Sequence, residues 1–513
     1  MHPIRTIELA AVAALLAVHV PAQNLELDVT GGTLPGTVTL DTYPGLVPFE
    51  LVVIVPSTSS GPTPCSLFDP LDPRSLSIGL DLVGSAFAGL TDPFTGHFVL
   101  QFPIAGPASL HDLPLFFQSV TLLWAPTLLD RISNGNVIRL GGSNTFRDRL
   151  ISSQYDRAFA TVLPRPDHKW LLVAGARGQL LAQQAWSTSE IYDPIADAFT
   201  PGPSLTAPRS MHSATLLPNG KWLIAGGVNA TNDPQATCEV YDPVLDTFTA
   251  VAAMGTPRMG HTATLLGNGK VLVTGGIQAM PTTPTQLEPI HQAVNTTELY
   301  DPVANTWTAG PNLSTPRAAH MALSRPDGKV ALVGGISWDN LFITWLPAVR
   351  RTMDLYDPVA NTMAAGPLMA TARSLIDPLP LGNNRWLFAG GISALTLTSQ
   401  GTPTNTAEIY DAVANTWTTV GSMATARGNH KGWAISGTQY LLAGGANGTV
   451  LAPNALSSSE IFSTTTNTFS PGPNMNQARA GAAMFATPQG QVQLFGGATT
   501  GGVITATTEW YYF

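Results

Sequence analysis

Seven arginines and seven carboxylates recur in register along this chain. Arg157, Arg209, Arg258, Arg317, Arg373, Arg427 and Arg479 are each followed, 30 to 40 residues later, by Glu190, Glu239, Glu298, Asp354, Glu408, Glu460 or Glu509. A guanidinium facing a carboxylate can do two things. In a cleft it stabilises developing charge and tunes proton transfer; inside a frame it makes a charge-assisted hydrogen-bonded tie. A catalytic group is needed once. Sevenfold recurrence therefore assigns these residues, with Arg209, Arg258, Arg317, Glu239, Glu298 and Glu408 among them, to the frame. His212, His261, His320 and His430 stand three residues after their arginines. Four imidazoles gathered together could hold a metal. Ala160, Ile376 and Ala482 fill the same position elsewhere, so packing and hydrogen bonding is the expected role, and no metal or other cofactor is implied. Cys65 and Cys238, the two cysteines, are too few for a disulfide framework or a closed Cys-rich zinc site.

The spacing around these residues describes the elements that must carry them. Each Arg lies 18 residues before the second member of a small pair, such as Gly226-Gly227 or Gly275-Gly276, and each acid except the last lies 19 residues before the next Arg. All length variation falls between the pair and the acid, from 11 to 21 residues. A fixed frame with one variable loop is what stacked supersecondary units produce. In the third unit the apolar runs 261–266 and 271–274 flank Gly267-Asn268-Gly269-Lys270, a hairpin signal. Glu298-Leu299-Tyr300 opens a third strand, and the Asp301-Pro302 turn leads to a fourth at Trp307. Four strands in a unit of about 50 residues predict a propeller blade. The seventh unit stops at Phe513 with its fourth strand missing. Upstream of the first Arg, Asn144-Thr145-Phe146 repeats the Asn-Thr-aromatic element of 305–307 and 415–417. A strand near 144–150 is expected to complete the last blade and close seven blades into a ring, which removes open edges. The Gly pairs precede no helix and lack phosphate-loop spacing, so they read as backbone positions needing φ > 0 or close approach.

Composition agrees with this all-β reading. Gly (48) and Pro (42) are abundant among 513 residues, and charged residues are only 11%, which disfavours long helices. A net charge of −9 argues against a nucleic-acid partner, which needs a basic surface. At the N-terminus His2 and Arg5 precede an apolar run from Leu9 to Val18, and Val20-Pro21-Ala22 supplies small residues for cleavage. Residues 1–22 read as a secretory signal peptide, the protein as secreted or periplasmic, and no other segment is long and apolar enough to span a membrane as a helix. Residues 23–135 lack the repeat. Their short alternating or apolar runs, separated by Gly, Pro and Asp, suggest a small β-sandwich, followed by a seven-bladed propeller over 136–513.

Taken together, Arg-x-x-His, the Gly pair, Glu-x-Tyr-Asp-Pro and Asn-Thr-Trp closely resemble the kelch repeat, through seven copies over about 370 residues. The resemblance implies a kelch β-propeller. Ala174 for Gly, Asp354 for Glu, Phe462 for Tyr and Met363 for the aromatic depart from it locally. Kelch propellers also resemble the catalytic domain of copper radical oxidases of the galactose oxidase type. That resemblance would imply a Cys-crosslinked Tyr, a second Tyr and two His. Cys238 sits beside Glu239 in a repeated strand and no Tyr-His pair occurs, so the motif does not transfer residue by residue.

The variable loops emerge on one face, where recognition is usually placed on a rigid scaffold. The third unit's loop offers Glu288 and His291. The fourth offers Trp338, Asp339, Phe342, Trp345, Arg350 and Arg351. Aromatics beside Arg in a solvent-facing loop suit a sugar ring or a protein hot spot. The expectation is a non-catalytic binding or scaffold protein with a protein or glycan ligand. The alternative is a carbohydrate-active enzyme on the same fold, a sugar epimerase or lyase before a copper radical oxidase.

Overall fold

The computed structural model describes residues 26–512 except 32, 35, 44–50, 58–59, 65–74, 79–86, 91–97, 105–113, 123–128, 133–135, 140, 143–144, 180–181, 195, 197, 279–291, 342–343, 396–400, 450–451 and 487–491. The signal-peptide segment, Cys65, Glu288, His291 and Phe342 lie outside the described residues. The chain divides into two compact units. One comprises Met1–Gly32, Gly36–Ala105 and Asp112–Leu140; the other comprises Gly141–Phe513 with Thr33–Pro35 and Gly106–His111.

The first unit holds two antiparallel sheets and a hairpin. Glu26–Gly31, Gly36–Tyr43 and Phe98–Ile104 form one sheet in that order. In the other, Leu51–Ser57 lies between Phe87–Leu90 and Pro114–Leu122, and the last of these also pairs with Leu129–Ile132 and Asn136–Arg139. Ser60–Pro64 pairs with Ser75–Ile78.

The second unit is a seven-bladed β-propeller: seven four-stranded antiparallel sheets, six of them with their strands in chain order. The blades are numbered here by their arginines, Arg157 to Arg479. Blade 5, for example, is Leu379–Gly382, Arg385–Ala389, Ala407–Asp411 and Thr416–Val420. Blade 7 takes Ala483–Ala486, Val492–Phe495 and Thr507–Tyr512 from the C-terminus, and Thr145–Ser152 supplies its fourth strand. Phe146 faces Tyr511 in that pairing, the register in which Tyr300 faces Trp307 and Tyr410 faces Trp417. The aromatic column thus closes the ring as it builds the other blades, except that Met363 faces Tyr356 in blade 4.

The core lies between blades. Met321, Val333 and Met353 of blade 4 meet Phe388 and Tyr410 of blade 5, and Leu387 and Ala407 of blade 5 meet Leu442 and Phe462 of blade 6. The last interface is the most aromatic: Trp170 stacks on Phe485 at 4.4 Å, and Tyr192 touches Phe495 and Trp510. Each buried aromatic there removes a large apolar surface from water. Polar clasps cross the opposite edges. Arg165 of blade 1 donates to the Tyr241 hydroxyl of blade 2, and Arg325 of blade 4 donates to the Tyr410 hydroxyl and Asn415 of blade 5.

Candidate functional site

The arginine and acid columns are built into the frame. Arg209 meets Glu239 at 2.7 Å, Arg258 meets Glu298 at 2.7 Å, and Arg373 meets Glu408 at 2.9 Å. Arg317 reaches Asp354 at 3.1 Å, so the shorter acid still closes the pair. All seven arginines are buried. Each guanidinium also donates to the carbonyl of the first residue of its own small pair, such as Gly226 for Arg209 and Gly390 for Arg373. Each carboxylate in turn holds backbone N–H groups of the incoming segment, such as Gly255 and Thr256 on Glu298. The second residue of every small pair donates to the Arg carbonyl of the next blade, ending with Gly497 on Arg157 at 3.0 Å. Close approach explains the glycines: at Gly334 (φ +64°) a Cβ would stand 2.3 Å from the Arg373 carbonyl oxygen. Ala174 adopts φ +56° at the equivalent position, so one blade tolerates a methyl there at the cost of left-handed strain.

The histidines bridge blades. Nε2 of His212 meets Thr161 Oγ1, that of His261 meets Ser213 Oγ, and that of His320 meets Thr262 Oγ1, each at 2.9 Å and each in the preceding blade. Burial, reinforced by the neighbouring arginines, lowers His212, His261 and His430 to about 3, so these rings are neutral. Cys238 is buried in blade 2, and burial pushes its thiol up to about 11. Among the described residues no three His, Cys, Asp or Glu side chains gather as metal ligands. Histidines engaged blade by blade with hydroxyls, and a buried thiol in a repeated strand, do not fit the donor set of a copper radical site.

The first strands of the blades surround the axis, where a cavity of about 420 Å³ opens. Its mouth carries a belt. The residue two after each Arg has positive φ in all seven blades: Phe159, Met211, Gly260, Ala319, Leu375, Asn429 and Gly481. Five rungs link these residues, each N–H donating to the carbonyl of the preceding blade, from Gly260 on Met211 round to Gly481 on Asn429. Phe, Met and Leu in that conformation are uncommon, and such strain clusters at functional sites.

Beside the belt, the residue four after each Arg lines the cavity in blades 1, 5, 6 and 7. The column reads Thr161, Ser213, Thr262, Met321, Asp377, Lys431, Ala483. Blades 5 and 6 thus place opposite charges side by side, and Lys431 Nζ donates to Asp377 Oδ2. The Lys431 ammonium holds the Asp377 carboxyl below the usual carboxylate range. Asp377 is 66% exposed and Lys431 28%, so the pair is open to the axial space. Both line the cavity, with His430 and Asn429 beside them. The alignment of units by their arginines isolates this pair; attention to recurring residues passes over it.

On the same face as the belt, the variable connections of blades 1, 4, 5 and 6 fold back as hairpins. Ala176–Gln179 pairs with Ala182–Ala185 in blade 1, and Ala446–Gly448 with Pro453–Ala455 in blade 6. The longest among the described residues is Ile336–Leu341 with Thr344–Val349 in blade 4. Trp338, expected to face solvent, is 6% exposed and packs with Ile336 and Leu395. Strand alternation turns one side of this hairpin down onto its neighbours. Asp339 faces Leu346 and Trp345 faces Asn340 in the register. Arg350 donates to Ser337 Oγ at 2.7 Å and is half-buried, and Arg351 is exposed.

A family model for the kelch motif matches residues 258–314. No curated protein matches the chain. Among solved structures, the chain is similar to YjhT at 15% identity and a TM-score of 0.44, with 59% of this chain and 94% of YjhT covered. It is also similar to a fungal alcohol oxidase of the AA5 family, in complex with copper, at 14% identity and a TM-score of 0.53, with 72% and 75% covered. The matched motif is the third of seven units that share one set of ties, and by those units and their closed ring the chain is a kelch-repeat β-propeller protein.

Proposed function

We propose that the protein is a binding or scaffold protein that works outside the cytoplasm and takes a protein or glycan ligand on the face carrying the variable hairpins. The N-terminal unit is read as a small β-sandwich module and residues 1–22 as the leader that exports the chain. One observation carries the reading. Seven blades share a tied frame, and the described segments that differ between them lie on one face, as hairpins in blades 1, 4, 5 and 6. Variation confined to one face of a rigid scaffold is the arrangement recognition surfaces use. The repeated Arg and acid residues are committed to the frame in every blade.

The test is a glycan array and a pull-down run with the wild-type chain and with a variant whose blade 4 hairpin tip, residues 340–345, is replaced by a two-residue Asn-Gly turn. The expected result is a reproducible ligand for the wild type and loss of at least tenfold in affinity for the variant, with its thermal transition retained. Full affinity in the folded variant would remove blade 4 from the binding face. Turnover of a sugar substrate by the wild type would favour the enzyme.

A further inference from the structure

We propose that the axial cavity is a second, small-molecule site, and that it takes zwitterions of the α-amino acid class with apolar side chains. This inference does not depend on the hairpin face. It begins with a break in the repeat. In five of the seven blades the residue four after the Arg is Thr, Ser, Met or Ala; in blades 5 and 6 it is Asp377 and Lys431. In blades 1 to 4, 6 and 7 that residue opens the first strand, whereas in blade 5 the strand begins two residues later, at Leu379. Pro378 is the reason: it has no N–H to give to the ladder, so Asp377 is released from the sheet. His430 completes the departure. Its counterparts in blades 2, 3 and 4 meet a hydroxyl of the preceding blade, and the residue in that place is Asp377.

The lining decides the ligand class. One anion and one cation stand on one wall, and Lys431 and Asp377 neutralise each other. Apolar lining is supplied by Phe159, Ala160 and Val162 of blade 1 and by Ala482, Ala483 and Met484 of blade 7, the blade next to Lys431. A ligand with a single charge would take one partner and leave the other unpaired, which is unfavourable in a partly dehydrated site. A ligand with an ammonium and a carboxylate on one carbon exchanges one ion pair for two: the ammonium goes to Asp377, the carboxylate to Lys431, and the apolar side chain lies against Phe159 and Met484. The space, about 420 Å³, is within the range of small-molecule sites and holds an amino acid with room to spare.

Isothermal titration calorimetry of the full chain tests this, with L-leucine and L-phenylalanine as ligands. N-acetyl-L-leucine, L-leucinamide and D-glucose serve as controls. The expected result is saturable binding of at least one amino acid, at least tenfold weaker binding of both blocked leucines, and at least tenfold loss in Asp377→Asn and in Lys431→Met. The variant with the shortened blade 4 hairpin, which keeps Trp338 and the cluster that packs on Leu375, should bind the amino acid unchanged, which separates this site from the hairpin face. Both substitutions are at accessible side chains, and a thermal transition equal to wild type confirms that the folded chain is being read. No saturable heat with either amino acid, equal binding of N-acetyl-L-leucine, or binding of glucose alone would each overturn the proposal.

Discussion

Replacing Arg373 by Met should open blade 5 locally while leaving distant blades closed. The Arg373 guanidinium donates to the carbonyls of Gly390 and Thr406, each at 2.8 Å, and to Thr406 Oγ1 and Glu408 Oε1, each at 2.9 Å. Methionine fills much of the volume and supplies none of these donors. Glu408, whose side chain is 1% exposed, keeps its bonds from the Ala370 and Thr371 N–H groups and loses its counter-charge. Removing one partner of a buried pair costs about 3–5 kcal/mol. At about 1.4 kcal/mol per factor of ten, the local opening equilibrium should rise by between about 10² and 10⁴. Hydrogen exchange reads this directly, because protected amides exchange through local opening. Peptides covering 366–374 and 388–408 should lose protection by that factor, and peptides in blades 2 and 3 should not. Arg373→Lys should fall between, since an ammonium keeps the charge but not the fork. A change of less than threefold in the blade 5 peptides of Arg373→Met would refute the reading of the arginines as ties.

Acidification should weaken the fold through the channel histidines. Burial sets His212, His261 and His430 at about 3 in the folded chain, and lowers His320 as well, against an ordinary value of 6.5. The unfolded chain therefore binds more protons between these limits. Stability should be complete above pH 6.5 and fall as the pH drops toward 3, by up to about 1.4 kcal/mol per pH unit for each histidine. Urea midpoints at pH 7, 5.5 and 4.5 check the sign, and His261→Gln should flatten the slope by about one proton; a midpoint that does not move would reject the argument. Among the glycines, Gly334→Ala should cost about 3 kcal/mol or more, because its Cβ meets a backbone carbonyl that cannot move aside. Gly220→Ala, with φ +78° and open space around it, should cost only about 1–2 kcal/mol of left-handed strain; equal urea midpoints for the two variants would contradict the close-approach account.

The frame was legible because it is repeated. Offsets from the arginines located all seven blades, and one out-of-place Asn-Thr-Phe located the closing strand, whose register with Tyr511 matches the other blades. The variable loops were legible in place but not in form. The 336–353 segment was read as a solvent-facing loop because its aromatics follow no repeat. Its alternation folds it into a hairpin and sends Trp338 inward against Leu395. The axial pair was missed for the opposite reason. Asp377 and Lys431 recur nowhere, and a search for columns of like residues treats them as noise. Pro378, immediately after Asp377, was the available signal, since a proline inside a repeated strand marks a break in the ladder.

Recurrence and departure therefore carry different information in this ring, for a physical reason. Every blade hangs on its neighbour by the same bond, from the second residue of the small pair to the next Arg carbonyl. A side chain on that glycine would collide with the backbone just after its own blade's Arg, as the contacts at Gly227, Gly276 and Gly335 show, and one on the glycine before it would meet the next blade's Arg carbonyl, as at Gly226, Gly275 and Gly334. An uncharged residue in place of the acid would leave a buried guanidinium under-satisfied, whereas the shorter Asp354 still reaches Arg317. Those positions have little freedom, so their chemistry is nearly the same in each blade and serves the frame. The residue four after each Arg is less uniform. In blades 1 to 3 its hydroxyl is tied to the next blade's histidine and in blade 4 Met321 is buried in the core, whereas Asp377 and Lys431 of blades 5 and 6 line the cavity. Chemistry specific to one protein can collect where that position is released from the frame, and in this ring the opposite charges of blades 5 and 6 are where it has collected.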